Sequence, residues 1–260
     1  MVCLEKSSND TVPLPVRFMG IPIHPVSASQ LVNIIVQWGR EEKFHRVYNV
    51  NAHAMNLAHD QPDFRRCLQQ ADLVFCDGFG VKWAARIMKL DIPYRMTPPD
   101  WIDDFAAEVA SAGQSVFALG DEDGIAAAFG ELLASRHPGY RNAGSHHGFF
   151  EKTGPENDAM IEHINRSGAV HLLVGFGMPL QERWIEANST ALRIKVAIPV
   201  GALFRWYTGL EKRAPRLMSD QGLEWLARLV RHPLRNFRRY AVGNPLLLAR
   251  VLRSRFFGEL

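Results

Sequence analysis

The chain has 260 residues, 47% hydrophobic and 22% charged, with a formal net charge of +3; this is ordinary globular composition, enough for one large core or two unequal ones, and it excludes a low-complexity chain. Three cysteines, Cys3, Cys67 and Cys76, are odd in number and lack C-x-x-C spacing, which argues against a disulfide framework or a zinc knuckle and fits a reducing cytosol. No run approaches the ~18 apolar residues of a membrane span, and residues 1–15 lack the apolar core of a signal peptide, so a soluble or peripheral protein is expected.

The elements follow in chain order. Residues 1–15 read as a loose lead-in, and Val16 to His24 as extended chain with turns at Gly20 and Pro22. Ser27 caps a helix to about Arg40, with Leu31, Ile34, Ile35 and Trp38 on its apolar face. Arg46 to Val50 is a strand ending in the polar cluster Asn49-Val50-Asn51-Ala52-His53, and helical periodicity then runs from Ala52 to Ala71 with a break at Pro62.

The run Leu73-Val74-Phe75-Cys76 is a buried strand that stops at Asp77-Gly78-Phe79-Gly80. In an open parallel sheet, ligands gather beyond the carboxyl ends of the strands, so Asp77 is either a site acid or merely the start of a turn and helix cap. A helix from Phe79 to Leu90, a proline-rich loop and a helix from Pro99 to Ala112 come next. Ser115 to Leu119 is a strand turning at Gly120-Asp121-Glu122-Asp123-Gly124 into a helix ending near Arg136. A Gly- and His-rich connection leads to a helix at Pro155 to Ser167 and a strand at Val170 to Val174. The turn Gly175-Phe176-Gly177-Met178-Pro179 then opens a helix from Leu180 to Ser189, and Lys195 to Val200 is the last strand. Strands alternating with helices in this way predict an α/β, Rossmann-like, mostly parallel sheet flanked by helices, spanning 16–209.

From Glu211 onward the chain turns helical and basic, with eleven Lys or Arg against four acids. This basic appendage, 210–260, suits phosphate, nucleic acid or an anionic membrane surface, and charge alone does not choose among them. Arg235, Arg238 and Arg239 are spaced to share a helical face whose guanidinium forks would embrace a diphosphate. Asn244 to Phe257 mixes leucines and phenylalanines with arginines; as a helix of ~21 Å it is too short to span a bilayer and would lie on one, or else pack against a partner subunit.

Other motifs point elsewhere only weakly. Neither Gly78-Phe79-Gly80 nor Gly175-Phe176-Gly177 completes G-x-G-x-x-G, and there is neither a Walker lysine nor a G-x-S-x-G elbow. His146 and His147, as neighbours, are expected to point in divergent directions and not to share a metal. Asp121-Glu122-Asp123 resembles the D-x-D metal clamp of some glycosyltransferases, although acids also cap helices at such turns.

Several of these pieces together resemble the TagA/WecG/CpsF family of bacterial glycosyltransferases, from about Val16 to Tyr240. The pieces are Asn51 on its strand, Ala71-Asp72 with Asp77-Gly78-Phe79-Gly80-Val81, Arg95, Gly-Phe-Gly-Met-Pro-Leu-Gln-Glu from Gly175 to Glu182, Arg213-Ala214-Pro215, and Gly222-Leu223-Glu224-Trp225-Leu226. The resemblance implies an inverting, metal-independent transfer of a sugar from a UDP-sugar to a polyprenyl-diphosphate-linked saccharide at the cytoplasmic membrane face, with no cofactor and no nucleic acid. The donor would be of the UDP-N-acetylmannosamine, N-acetylmannosaminuronate or UDP-hexose type.

By the same resemblance Asp77 matches the catalytic base, Asn51 and Gln181 the active-site polar residues, and Arg95 a site arginine. Arg228, Arg235 and Arg238 match the arginines of an appendage that closes over the site and touches the membrane. Asn49, Gly78, Gly80, Asp100, Gly120, Gly175, Gly177 and Glu182 complete the expected substrate-binding set, and a homo-oligomer is a possible assembly. Two departures lie near the expected pocket: Asn49 replaces a common threonine, and Pro98-Pro99 replaces a glycine and a small polar residue. The alternatives are a non-catalytic basic module for membrane or nucleic acid and a metal-dependent enzyme using Asp121 and Asp123.

Overall fold

The computed structural model describes residues 11–212, 224–231 and 233–257, with backbone alone at residues 224, 227, 228, 235, 236 and 257. Its centre is a parallel sheet of six strands: β3 (His45–Val50), β4 (Leu73–Cys76), β5 (Ser115–Gly120), β6 (Arg141–His146), β7 (His171–Gly175) and β8 (Val196–Pro199), in the order β4-β3-β8-β7-β5-β6. The α/β, Rossmann-like architecture expected from the alternating elements is the one observed. A separate antiparallel pair, β1 (Val16–Phe18) and β2 (Ile21–Ile23), occupies the stretch read as extended, with its turn at Met19-Gly20.

The chain forms two compact units. One comprises Val26–Val47 and Pro98–Leu210; the other comprises Leu14–Pro25, Tyr48–Thr97 and the described residues after Glu211. In the first, α1 (Ala28–Trp38) begins with a capping box: Ser27 Oγ accepts from Gln30 N, and Gln30 Oε1 accepts from Ser27 N. Its apolar stripe, Leu31, Ile34, Ile35 and Trp38, is buried, and it packs on α5 (Pro98–Ser111). Also in this unit are α6 (Ile125–Arg136), α7 (Gly154–Arg166), α8 (Leu180–Asn188) and α9 (Leu203–Tyr207). Gln114 spans its core, donating to Val36 O at 2.9 Å and meeting the buried His171 Nε2 at 2.7 Å. Burial alone drives the His171 imidazole down to about 3, so it stays neutral.

In the second unit Pro62 divides one helical stretch into α2 (Ala52–Asp60) and α3 (Pro62–Gln70), and α4 (Phe79–Ile87) follows β4. Its C-terminal part holds α10 (Glu224–Arg231), α11 (Pro233–Phe237), a π-helical turn (Arg238–Val242) and α12 (Gly243–Phe257). Leu247, Val251 and Ser254 of α12 are buried, and the helix packs on α2 and α4.

One expectation needs correction here. The Gly- and His-rich connection contains β6, which pairs with β5 through a register shift at Val116/Phe117. It escaped notice because it carries no apolar alternation and sits at the sheet's edge, where Gly144 lies against Phe117 and a Cβ would come within 2.9 Å of that ring. The basic tail is helical as expected, with α11 ending at Phe237 and Arg238 and Arg239 in the π turn that follows it; the side chain of Arg235 lies outside the described residues.

Candidate active site

In the second unit the carboxyl ends of β3 and β4 lie side by side, the Asp77 N–H donating to Val50 O at 2.8 Å. Both strand ends carry polar residues where apolar β residues give way to helix starts. Asn51 is the N-cap of α2 in extended conformation; its Oδ1 accepts from Ala54 N at 3.1 Å. Its amide Nδ2 donates to Asp77 Oδ2 at 3.4 Å. One side chain therefore caps a helix with its oxygen and orients a carboxylate with its nitrogen.

Asp77 does not cap α4. The N-cap there is Gly78, at φ +108, with no side-chain cap bond. An L-residue is strained at that φ, so Gly78 is what lets the chain turn directly from Asp77 into the helix. Gly80 is small for a packing reason: a Cβ there would sit 3.2 Å from Ala52 Cβ.

The proline-rich loop runs along the same edge, Met96 N donating to Cys76 O at 2.9 Å. That contact brings Arg95 over the Phe79 ring, 4.7 Å from its centroid, a cation–π arrangement of about 0.5–2 kcal/mol. Cys76 is no competing nucleophile, since burial first and the Asp77 charge second push its thiol up to about 12.

The C-terminal helices fasten to α2, the helix that starts at Asn51. Asn56 Nδ2 donates to Gly243 O at 2.7 Å, while Arg250 bonds Asn56 Oδ1 at 3.0 Å and Asp60 at 2.5 Å. Arg239, half-buried in the π turn, acts on His53 in the first turn of α2. Burial first, and the Arg239 charge second, drive His53 down to about 4, so the imidazole is neutral at pH 7. Arg238 is exposed, and the side chains of Arg228 and Arg235 and the motif residues 213–223 lie outside the described residues. Asn49, two residues before Asn51 and still within β3, is buried at 3% exposure.

The first unit has its own strand-end cluster. Asp121 N donates to Gly175 O at 3.3 Å, joining the ends of β5 and β7. At Gly120, φ +147, a Cβ would lie 2.6 Å from Gly175 O, and at Gly175 it would lie 2.9 Å from Gly201 O. Glycine at 120 and 175 is thus demanded by backbone meeting backbone. Asp100 is exposed in the first turn of α5.

Asp121 and Glu122 do not cap α6, whose N-cap is Gly124. Arg205 takes both instead, with Nε 2.8 Å from Asp121 Oδ1 and Nη2 2.5 Å from Glu122 Oε1. The capping reading fails because the turn continues to Gly124, in the left-handed region, before helical bonding starts. His146 and His147 do not diverge: their rings lie 4.1 Å apart, since β6 ends at His146 and strand alternation stops with it.

Gln181 and Glu182, at the start of α8, are 1% and 0% exposed. Gln181 Oε1 accepts from Gly177 N at 3.1 Å and Gly201 N at 3.2 Å, and Nε2 donates to Glu182 Oε1 at 2.8 Å. Gly201, just past β8, was missed by sequence reasoning; a glycine directly after a buried apolar strand was the available signal.

Burial pushes the Glu182 carboxyl up to about 7 against the opposing pull of the Gln181 hydrogen bond and the Arg183 charge. An acid whose folded value lies above its unfolded one keeps its proton in the folded state after the unfolded chain has released it. Stability contributed by the neutral form is therefore lost as pH rises from the ordinary glutamate range through about 7. Thermal melts between pH 5 and pH 8 are expected to fall less steeply for Glu182→Gln than for the unmodified protein; parallel curves would show that Glu182 does not titrate there.

A family model described as the glycosyl transferase WecG/TagA/CpsF family matches residues 16–259. Among curated relatives, an N-acetylglucosaminyldiphosphoundecaprenol N-acetyl-beta-D-mannosaminyltransferase from Staphylococcus aureus strain MRSA252 is 25% identical over 227 residues, covering 86% of this chain and 87% of the relative. The protein of the same description from strain NCTC 8325 matches with the same identity and coverage.

Proposed function

Because the chain belongs to the WecG/TagA/CpsF family of glycosyl transferases, we propose that it transfers a sugar from a UDP-sugar to a polyprenyl-diphosphate-linked saccharide, with inversion and without a metal ion. The observation that carries the reading is the Asn51–Asp77 contact at 3.4 Å on a strand edge that also holds Arg95. Asp77 is the base: it takes the proton of the acceptor hydroxyl as that oxygen attacks the anomeric carbon and the bond to the diphosphate breaks. Asn51 holds one carboxylate oxygen, which fixes the direction in which the other is presented.

The departing UDP gains charge on its diphosphate, and without a metal this charge is met by arginines and backbone donors. Arg95 and the appendage arginines Arg228, Arg235 and Arg238 are assigned that task. Asn49, Gly78 and Gly80 of the second unit, and Asp100, Gly120, Gly175 and Gly177 of the first, are assigned to substrate binding. The relatives' descriptions, which name a diphosphoundecaprenol-linked acceptor and an N-acetylmannosaminyl group, support this acceptor class and make UDP-N-acetylmannosamine the first donor to try. Acceptor-dependent UDP release with a panel of UDP-sugars tests the reading. Release that needs the lipid-linked saccharide supports it, and salt-sensitive nucleic-acid binding without UDP release would favour a basic binding module.

A lipid-linked acceptor calls for a protein at the inner face of the membrane, and the C-terminal helices suit that place. No described helix is long and apolar enough to cross a bilayer. Leu234, Phe237, Val242, Leu246, Leu248, Leu252 and Phe256 are exposed there, with Arg238, Arg253 and Arg255 exposed among them. Apolar residues with interspersed cations match the interface of an anionic bilayer. Replacing Leu248, Leu252 and Phe256 together by serine is expected to reduce binding to anionic vesicles at least several-fold while the buried Leu247 and Val251 hold the helix in place. Unchanged vesicle binding with a loss of self-association would assign this face to a second copy of the chain.

A further inference from the structure

The resemblance casts Gln181 as a polar residue of the reaction, but its bonding describes another task. Its carbonyl oxygen is occupied by two backbone N–H groups, Gly177 beyond β7 and Gly201 beyond β8. Its amide is turned toward Glu182, which donates nothing to solvent because it is fully buried. We infer that Gln181 and Glu182 are a positioning pair: the Glu182 carboxyl sets the Gln181 amide, and that amide ties the turns after β7 and β8 together as the seat for the donor.

The chemistry favours this division of labour. Ligands of open parallel sheets gather at the turns beyond the strands' carboxyl ends, and such turns serve a ligand only if they hold their spacing. Gly175 and Gly201 already approach so closely that a Cβ at Gly175 would lie 2.9 Å from Gly201 O. Phe176 anchors the first turn through its ring contacts with Phe150 and Trp184, but Gly177 and Gly201 have no side chain with which to join one turn to the other. Gln181 does so from the helix start behind them, with one oxygen reaching both.

Glu182 in turn decides which end of the amide faces the turns. With its Oε1 accepting from Nε2, the flipped amide would set two oxygens against each other. The carboxyl serves best uncharged, because its second oxygen is buried with no hydrogen-bond partner among the described residues, and the cost of burying a charge there outweighs the pull of Arg183. Glutamine at 182 would offer the same acceptor without a charge.

The donor role rests on the proposed glycosyl transfer, whereas the tie between the turns does not, and the experiment separates them. Amide hydrogen exchange at Gly177 and Gly201 is measured in the full chain for Glu182→Ala, Glu182→Gln and Gln181→Leu, together with donor KM and kcat. Exchange is expected to accelerate roughly tenfold or more in Glu182→Ala and Gln181→Leu, and about threefold or less in Glu182→Gln. Donor KM in Glu182→Ala is expected to rise roughly tenfold, well beyond any fall in kcat, with Glu182→Gln recovering most of it.

Unchanged exchange in Glu182→Ala would overturn the tie. Faster exchange with unchanged donor KM would leave the tie and overturn its service to the donor. Equal damage by Gln and Ala at 182 would overturn the orienting role and assign the carboxylate itself a contact. Should the unmodified chain release no UDP with any donor, the transfer reading falls and, with it, the donor role, while the exchange arm still decides the tie.

Discussion

Asp77→Asn is expected to lower kcat by roughly 10²- to 10⁴-fold, the range a positioned general base contributes, with donor KM changed only a few-fold. The substitution is nearly isosteric. The strand-end geometry depends on the Asp77 backbone, whose N–H meets Val50 O at 2.8 Å, so the edge of β3 and β4 is kept. The helix that follows is kept as well, since Gly78 and not Asp77 sits at its N-cap. What is lost is the acceptor for the proton of the attacking hydroxyl. Steady-state kinetics with UDP-sugar and lipid-linked acceptor, beside a melting curve, check it. Near-normal turnover would remove Asp77 from the chemistry.

Asn51 carries the second large effect, because it serves helix and carboxylate at once. Asn51→Ala is expected to cost about 1 kcal/mol of stability through the lost cap on α2, together with roughly tenfold or more of kcat through the lost donor to Asp77 Oδ2. Asn51→Asp separates the two roles. Aspartate caps a helix about as well as asparagine, so stability is expected to stay near that of the parent. A second carboxylate beside Asp77 favours one shared proton over two full charges. The acidic limb of the pH–rate profile is therefore expected to move to higher pH, with activity at neutral pH reduced and partly regained in mild base. A profile unmoved in Asn51→Asp would mean that Asn51 acts on the helix alone.

The fold was legible because its signals are local. Buried runs such as Leu73–Cys76, which end abruptly at Gly or Asp, marked the parallel strands, and Ser27, Pro62 and the turn at Gly175–Pro179 marked helix boundaries. β6 was illegible for the converse reason: Arg141-Asn142-Ala143-Gly144-Ser145-His146 has no apolar period, and its place in the sheet comes from β5 alone. The π turn at Arg238–Val242 likewise has no local signal that separates it from α-helix.

The candidate site was legible only as a set of residue types at strand ends; the structure places Asn51 against Asp77, and Arg95 over Phe79, along one edge. What sequence could not reveal was which way a side chain faces. Gln181 and Glu182 share a motif with Gly175 and Gly177, yet both are buried and bond the protein itself. Asp121 and Glu122 look like a free acidic clamp until Arg205, more than eighty residues away in the chain, closes on them. His53 and Arg239 were visible as separate residues of a polar cluster and a basic run; only folding brings the cation close enough to act on the imidazole.

The central claim is a direct, metal-free displacement with Asp77 as base. It is tested most directly by the anomeric configuration of the sugar on the lipid-linked product, determined by NMR after reaction in excess chelator. Inversion relative to the donor, at an undiminished rate and lost in Asp77→Asn, is the predicted result. Retention of configuration, or a rate that collapses with the chelator and returns with a divalent cation, would contradict it.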